Sequence, residues 1–182
     1  IIAAFIKRSE NRDNYSKAKE YISIQKYKEA FEILMELDTY KDSDKLAKRA
    51  KKGIIYSNAK TDIENKKYEE AIKKLNEIGN FLDTANLIKD TKYNLALDYL
   101  EQERYDEAKR IFSELENYKE TTSFLKRIDL INIAKLKKEI YKKACLLFDE
   151  SNYEEALENF NSILDYEDSK ERAKECENQI KI

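Results

Sequence analysis

The thirteen tyrosines of this 182-residue chain recur at fixed distances from one another, which indicates an internal repeat. Four of them begin the phrase Tyr-(Lys, Glu or Asp)-Glu-Ala, and we call these the phrase tyrosines: Tyr27, Tyr68, Tyr105 and Tyr153. A second set lies 12 residues before the phrase tyrosines and comprises Tyr15, Tyr56, Tyr93 and Tyr141. A third aromatic set lies 13 residues after them and comprises Tyr40, Phe81, Tyr118 and Tyr166. Such repetition is typical of arrays of one supersecondary unit, so the chain is predicted to contain four units.

Other positions of the repeat indicate that each unit is a pair of helices. The residues 3, 7 and 10 positions after each phrase tyrosine are apolar, and this spacing places them on one helical face. An alanine stands nine residues before each phrase tyrosine, where its small side chain lets a second helix approach closely: Ala18, Ala59, Ala96 and Ala144. We therefore predict helical hairpins in which helix A ends just before the phrase tyrosine and helix B begins at it.

The chain has no proline and two glycines, so other residues must separate the helices. At the end of each unit stand four residues in a fixed order: an aromatic residue, a variable residue, an acidic residue and a hydroxyl residue. These junctions are Tyr40-Lys41-Asp42-Ser43, Phe81-Leu82-Asp83-Thr84, Tyr118-Lys119-Glu120-Thr121 and Tyr166-Glu167-Asp168-Ser169. Because Asp, Ser and Thr side chains accept hydrogen bonds from unpaired backbone N–H groups, they are predicted to cap each helix A.

The units differ in length by nearly whole helical turns. Between the junction and the next A-helix tyrosine, two units are 4 and 11 residues longer than the shortest, which is about 1.1 and 3.1 turns. Insertions of whole turns leave an apolar face in place, so each helix A is predicted to run unbroken, the longest over about residues 121–150. Gly53 lies inside the second of these helices and is predicted to weaken it.

The predicted fold is all-α, an α-α superhelix of about four hairpins followed by a C-terminal capping helix. The hairpins are expected over about residues 1–41, 42–82, 83–119 and 120–167, with the cap in 168–182, all in a single domain spanning 1–182. The capping helix is predicted over about residues 169–180, where Ala173, Cys176 and Ile180 would cover the apolar face of the fourth hairpin.

Composition argues against catalysis. The chain has no histidine and two cysteines, which excludes Ser-His and Cys-His nucleophiles, imidazole metal sites and four-thiolate zinc sites. With two glycines it also lacks Gly-rich phosphate loops. Basic and acidic residues number 35 and 37, so no basic excess favours nucleic acid. We predict a protein that is not an enzyme, with no cofactor, no metal and no nucleic-acid partner.

One stretch resembles the tetratricopeptide repeat family: Tyr93-Asn94-Leu95-Ala96-Leu97-Asp98-Tyr99-Leu100, followed by Tyr105, Ala108 and Phe112. The resemblance covers roughly residues 15–168. This chain departs from the family in its longer period and in the acidic-hydroxyl junctions that replace the family's loop proline. The resemblance implies a TPR-like solenoid that binds a protein or peptide partner on a concave surface formed mainly by the A helices.

If that geometry carries over, the candidate protein-binding residues on the concave face are Tyr15, Tyr56, Tyr93, Asn94, Tyr141 and Lys142. Tyrosine offers apolar area with a hydrogen-bonding tip, which is common at interfaces. The alternative is that these rings simply pack between adjacent helices. The family's basic clamp for a terminal carboxylate is not predicted, because only Asn94 and Lys142 match it in part.

Charge is uneven along the chain. Residues 1–60 hold 14 basic and 9 acidic side chains, a net charge of +5, and residues 61–120 hold 10 and 15, a net charge of −5. The densest basic cluster is Lys45, Lys48, Arg49, Lys51 and Lys52. We interpret it as a solvated helix face, and contact with an anionic partner or a membrane surface is the alternative.

The chain opens with apolar residues from Ile1 to Ile6, too few to cross a bilayer. They are interpreted as the buried end of a first helix, or alternatively as the remnant of a removed membrane span, so the chain is expected to be a fragment or processed product. Membrane contact is expected only through this segment. A cytoplasmic location is expected, with a membrane-anchored one as the alternative. The alternative functions are a membrane-tethered structural spacer or assembly subunit, and a helical-solenoid enzyme.

Overall fold

The computed structural model describes residues 2–181, which form nine α-helices and no β-strand. The prediction of an all-α fold is confirmed. The helices are α1 (Ile2–Ser23), α2 (Tyr27–Glu36), α3 (Ser43–Glu64), α4 (Tyr68–Ile78), α5 (Thr84–Glu101), α6 (Tyr105–Glu114), α7 (Thr121–Asp149), α8 (Tyr153–Asn161) and α9 (Ser169–Ile180).

The helices begin where the repeat predicts. The B helices α2, α4, α6 and α8 each start at a phrase tyrosine, and α3, α5, α7 and α9 each start at the Ser or Thr of a junction. Helix α7 is unbroken over Thr121–Asp149, which agrees with the predicted range to within one residue. The whole-turn insertions therefore lengthen the A helices as expected.

The chain divides into two compact units, one extending to Leu115 and the other beginning at Glu116. In the first unit, helices α1 to α6 pack in chain order, each against the next. In the second unit, α8 packs against both α7 and α9. Packing between chain neighbours is typical of helical repeats. The assignment of residues 1–182 to one domain stays a prediction.

The repeated apolar positions form the core of each unit. The four alanines nine residues before the phrase tyrosines are fully buried, and so are the four alanines three residues after them: Ala18, Ala59, Ala96, Ala144, Ala30, Ala71, Ala108 and Ala156. The residues seven positions after the phrase tyrosines are buried as well: Leu34, Leu75, Phe112 and Phe160. The small alanine side chains let the two helices of a hairpin pack closely. The predicted apolar face of each B helix is confirmed.

Helix α9 covers the hairpin of the second unit as predicted. Ala173 and Cys176 are buried in one cluster with Ala144, Ala156 and Phe160. Ile180 is exposed, so the prediction that it also belongs to this covering face is wrong. The apolar face of α9 ends one turn before the helix does.

The predicted capping bonds do not form. Asp42, Asp83, Glu120 and Asp168 occupy the N-cap positions, but none of their side chains bonds to a backbone N–H of the helix it precedes. The hydroxyls of Ser43 and Thr84 instead donate to the carbonyl oxygens of Tyr40 and Phe81. The location of the helix starts is right and the capping mechanism is wrong. The carboxylates of Asp42, Asp83 and Asp168 instead accept hydrogen bonds from tyrosine side chains, described below.

The A helices end without glycine. Gln25, Lys66, Glu103 and Ser151, each two residues before a phrase tyrosine, have left-handed backbone angles with φ of 60°, 59°, 58° and 62°. The N–H that follows donates to a carbonyl five residues earlier, as in Lys26 to Tyr21 at 2.8 Å. The left-handed residue itself donates to a carbonyl three residues earlier, as in Gln25 to Ile22 at 3.1 Å. These two bonds define the Schellman motif, which usually has glycine at this position.

Glu103→Gly tests this assignment. A non-glycine residue in the left-handed region costs about 1–2 kcal/mol, and glycine avoids that cost at the expense of greater freedom in the unfolded chain. We expect the free energy of unfolding to rise by about 0.5–1 kcal/mol, measured by urea denaturation. Glu103→Ala, which keeps a Cβ atom, is the control and should give no gain. Equal stability of the two variants would contradict the assignment.

Gly53 is a packing position. It is buried in α3, and a Cβ atom placed on it would overlap the Tyr27 ring. That ring is itself buried and packs edge-on against Phe81, with centroids 6.1 Å apart. Glycine therefore lets α2 approach α3, which corrects the prediction that Gly53 is only a weak point in its helix.

Replacing Gly53 by alanine should therefore destabilise the chain despite alanine's better helix propensity. Overpacking costs about 1–3 kcal/mol, and the cost should lie in the upper half of this range because the Cβ atom would meet the buried Tyr27 ring. The propensity gain offsets about 1 kcal/mol, so the net loss should be about 1–2 kcal/mol. Chemical denaturation measures it. Lys51→Ala, in the same helix and exposed, is the matched control. In a Tyr27→Leu background the Gly53→Ala loss should largely vanish, and an unchanged loss would show that the ring is not the cause.

The start of α1 is helical, as expected, but it is not buried. Ile2, Phe5 and Ile6 are all exposed, while Ile1 lies outside the described residues. The interpretation of this segment as the buried end of a helix is therefore wrong for these three side chains. Within residues 2–181, no helix combines the length and the apolar character that crossing a membrane requires.

Candidate functional site

The A-helix tyrosines bond to the acidic residues of the junctions. Tyr15 donates its hydroxyl hydrogen to Asp42, Tyr56 to Asp83 and Tyr141 to Asp168. In each case the carboxylate stands 27 residues later, at the N-cap of α3, α5 or α9. The first two bonds tie one A helix to the beginning of the next, and the third ties α7 to the capping helix. All three occupy carboxylates that the sequence suggested as caps.

The rings of the same tyrosines pack edge-on against the aromatic residue of the junction. The centroid distances are 5.7 Å for Tyr15 and Tyr40, 6.0 Å for Tyr56 and Phe81, and 5.6 Å for Tyr141 and Tyr166. Tyr93 packs in the same manner against Phe112 of its own hairpin at 5.9 Å. These contacts are of the kind that the alternative interpretation of the sequence expects, in which the tyrosine rings pack between adjacent helices.

The hydrogen bonds and burial move the pKa values of the three tyrosines and of Asp42 further from neutral pH. Burial, with the Asp83 hydrogen bond second, raises the pKa of Tyr56 from 10.0 to about 12. The bond to Asp42 raises the pKa of Tyr15, and the bond to Asp168 raises that of Tyr141. The Tyr15 hydroxyl in turn lowers the pKa of Asp42. At neutral pH each tyrosine is therefore a protonated donor.

The predicted site residues differ in how far they reach solvent. Tyr56 and Tyr93 are 6% and 7% exposed, Tyr15, Tyr141 and Asn94 are partly buried, and Lys142 is exposed. Tyr15, Tyr56, Tyr93 and Asn94 belong to the first unit, whereas Tyr141 and Lys142 belong to the second. The structure thus gives the tyrosines a role in packing, and contact of these six residues with a partner stays a prediction.

Asn94 lies in a cleft between the start of α4 and the end of α5. This cleft, of about 140 Å³, is lined by Lys66, Tyr68, Asn94, Leu97, Asp98 and Glu101. A neighbouring cleft of about 210 Å³ shares Lys66, Tyr68 and Asp98 with it. Asn94 is therefore one of the predicted site residues that line a cleft of the first unit.

A polar network borders these clefts. The Tyr99 hydroxyl donates to Glu69 Oε1 at 2.5 Å, the Arg104 guanidinium lies 4.1 Å from the Tyr99 ring centre, and Arg104 Nη2 donates to Glu107 Oε1 at 2.8 Å. The Glu69 bond raises the pKa of Tyr99, and the Arg104 bond lowers that of Glu107. Sequence reasoning missed this network, since Glu69 stands at the variable second position of the phrase and Tyr99 matches only Tyr21 at its position.

Three further clefts of the first unit meet at Leu82, the exposed residue of the second junction. Their volumes are about 450, 270 and 360 Å³. The 450 Å³ cleft is lined by basic side chains of α3, and the 270 Å³ cleft lies between the end of α1 and the start of α3. The 360 Å³ cleft is lined in part by Tyr56. Sequence reasoning noted the basic side chains but missed Leu82, although it is the one apolar residue at a position where the other junctions carry Lys41, Lys119 and Glu167.

Comparisons with models of protein families and with curated proteins found no match for this sequence. The described part of the chain is therefore classified by its architecture, as an all-α protein whose helices pack in neighbouring order in the manner of a helical repeat. In residues 2–181, no group of three or more acidic or cysteine side chains is placed to hold a metal ion.

Tyr56→Phe tests the tyrosine–aspartate bond. Removing the hydroxyl leaves an exposed carboxylate that water can solvate, so at pH 9 the free energy of unfolding should fall by about 1 kcal/mol. A tyrosine pKa raised by folding stabilises the fold below pH 10, and that stability is lost as the pH rises from 10 towards 12. The advantage of the wild type should therefore shrink by about 1 kcal/mol between pH 9 and pH 11.

The measurement is urea denaturation at both pH values, followed by circular dichroism. Tyr68→Phe is the matched control, because the Tyr68 hydroxyl has no hydrogen-bond partner within residues 2–181. A constant difference between wild type and Tyr56→Phe at the two pH values would contradict the raised pKa.

Proposed function

We propose that this chain is a non-catalytic scaffold of tetratricopeptide type that binds a protein or peptide on the surface formed by its A helices. The observation that carries the proposal is the position of the clefts in the first unit. Each of the five described above is lined by residues of α1, α3 or α5, which are the A helices of that unit. Recesses with mixed apolar and polar walls are typical ligand sites.

The packing supports a rigid binding surface. The buried alanine positions hold the two helices of each hairpin together, and the tyrosine–aspartate bonds fix successive A helices to each other. A surface that is already ordered loses less conformational entropy when a ligand binds, which favours affinity. The cleft side chains would then contact the partner while the tyrosines hold the helices beneath them.

A random peptide library displayed on phage tests this proposal. Peptides enriched on the purified protein are measured against a triple variant of cleft residues, Lys60→Ala/Asn94→Ala/Asp98→Ala. The matched control replaces the same residue types, or nearly so, on helix B: Lys73→Ala/Asn76→Ala/Glu77→Ala, all of which are exposed. We expect binding to weaken at least tenfold in the cleft variant and to stay unchanged in the control. Equal losses in both, or no enriched peptide, would contradict the proposal.

A membrane-tethered structural spacer is the second candidate. It rests on the exposed side chains of Ile2, Phe5 and Ile6 at the start of α1, which follow helical spacing and form a small apolar face. Under this function the library yields no enriched peptide, whereas the protein floats with phosphatidylcholine vesicles and the Phe5→Asp variant does not. A spacer of this kind would be anchored to a membrane, whereas the scaffold function fits a cytoplasmic protein.

A further inference from the structure

Four basic residues of α3 form a stripe on one face of the helix. Lys45, Lys48, Arg49 and Lys52 follow the spacing i, i+3, i+4 and i+7, which brings their side chains to the same side. All four line the 450 Å³ cleft, together with Asn80, Phe81 and Leu82. The clustered charge therefore faces a recess. The sequence analysis interpreted these residues as a solvated helix face and did not predict the recess.

The adjoining 270 Å³ cleft extends the same surface to α1. It shares Arg49 and Leu82 with the first cleft and adds Lys19 beside the apolar side chains of Ile22, Tyr27 and Leu46. We call the two clefts together the basic groove. Its lining holds five basic residues and no carboxylate. Its electrostatic potential is therefore positive, which favours an anionic ligand.

These cations are little neutralised by the protein itself. Within residues 2–181, Lys45, Lys48 and Arg49 form no ion pair within 4.0 Å. Lys52 donates to the neutral carbonyl oxygen of Ile78 at 3.0 Å. The pKa of Asp42 is lowered mainly by its bond to Tyr15 and only in smaller part by Lys19 and Lys45.

Leu82 gives the groove an apolar centre. It is 53% exposed, and its left-handed backbone, with φ of 49°, places it in a tight junction between α4 and α5. Both clefts of the groove meet at this side chain and at Arg49. An apolar contact point between two basic recesses matches a ligand that has an apolar group between acidic groups.

We infer that the basic groove binds an acidic peptide segment in which one leucine-like side chain is flanked by aspartate or glutamate residues. The inference rests on the proposed function and names the chemistry of the partner. A peptide is favoured over a membrane because the cations line two recesses that share the exposed apolar side chain of Leu82, and a narrow chain fits such recesses better than a flat bilayer does.

Fluorescence anisotropy with a defined probe tests the inference. The probe is a fluorescein-labelled peptide of sequence Glu-Asp-Glu-Leu-Glu-Asp-Glu, titrated with the full 182-residue chain. The variant is Lys48→Glu/Arg49→Glu. The control, Lys28→Glu/Lys73→Glu, makes the same change in net charge at exposed positions outside the groove. We expect the groove variant to bind at least tenfold more weakly than the control, and the wild-type affinity to fall with added salt.

Two further measurements sharpen the result. Leu82→Ala, and a probe with serine in place of leucine, should each weaken binding severalfold while the salt dependence stays the same, because only the apolar contact is lost. Circular dichroism and thermal melting establish that each variant is folded. If the charge-reversed variant does not fold, Lys48→Gln/Arg49→Gln takes its place and should still weaken binding more than Lys28→Gln/Lys73→Gln.

Several outcomes would overturn the inference. These are equal binding by groove and control variants, equal binding of a thymidine oligonucleotide, binding of phosphatidylserine vesicles in place of the peptide, and self-association of the chain that the groove variant abolishes. Failure here is distinguishable from failure of the scaffold function. If the library yields peptides sensitive to Asn94 and Asp98 while the acidic probe does not bind, the scaffold stands and the acidic partner does not.

Discussion

The hydrogen bond from an A-helix tyrosine to a junction carboxylate is the contact on which the arrangement of successive hairpins depends. Within each unit the helices pack mainly against their chain neighbours, so few distant contacts can correct the placement of a helix. Tyr15, Tyr56 and Tyr141 bond to the N-cap residues of α3, α5 and α9, and each ring also packs on the junction aromatic. A single tyrosine side chain therefore fixes both the orientation of the following helix and its distance from the tyrosine's own helix.

A second constraint comes from the scarcity of glycine and the absence of proline. The chain ends its A helices at ordinary residues held in the left-handed conformation, such as Gln25 and Glu103. The residue before each junction acid has the same conformation, with φ of 52° at Lys41, 49° at Leu82, 48° at Lys119 and 46° at Glu167. Each such residue costs about 1–2 kcal/mol, so the packing of the buried helical faces must offset a strain that glycine would avoid.

Much of the fold was predictable from the sequence because it is periodic. The starts of the B helices, the unbroken α7 and the buried alanines all follow from residue spacing. The role of Asp83 was not predictable, because a capping carboxylate and an acceptor for a tyrosine hydroxyl require the same residue at the same place. The role of Gly53 was not predictable either, since its contact with Tyr27 depends on how two helices cross. For the candidate site, spacing indicated the basic stripe, but the recess that it faces forms only when Leu82 lies opposite.

The left-handed residue in each junction has a further consequence. Its side chain is exposed in all four junctions, where it is lysine, leucine, lysine or glutamate. Lys41 and Lys119 lie over neighbouring tyrosine rings, 5.3 Å from Tyr40 and 5.2 Å from Tyr118, yet the junctions with leucine and glutamate keep the same left-handed backbone. The architecture thus separates a framework that recurs in every unit from one side chain that differs between units. Such a separation lets a repeat protein acquire a new partner by a single substitution without rebuilding its fold.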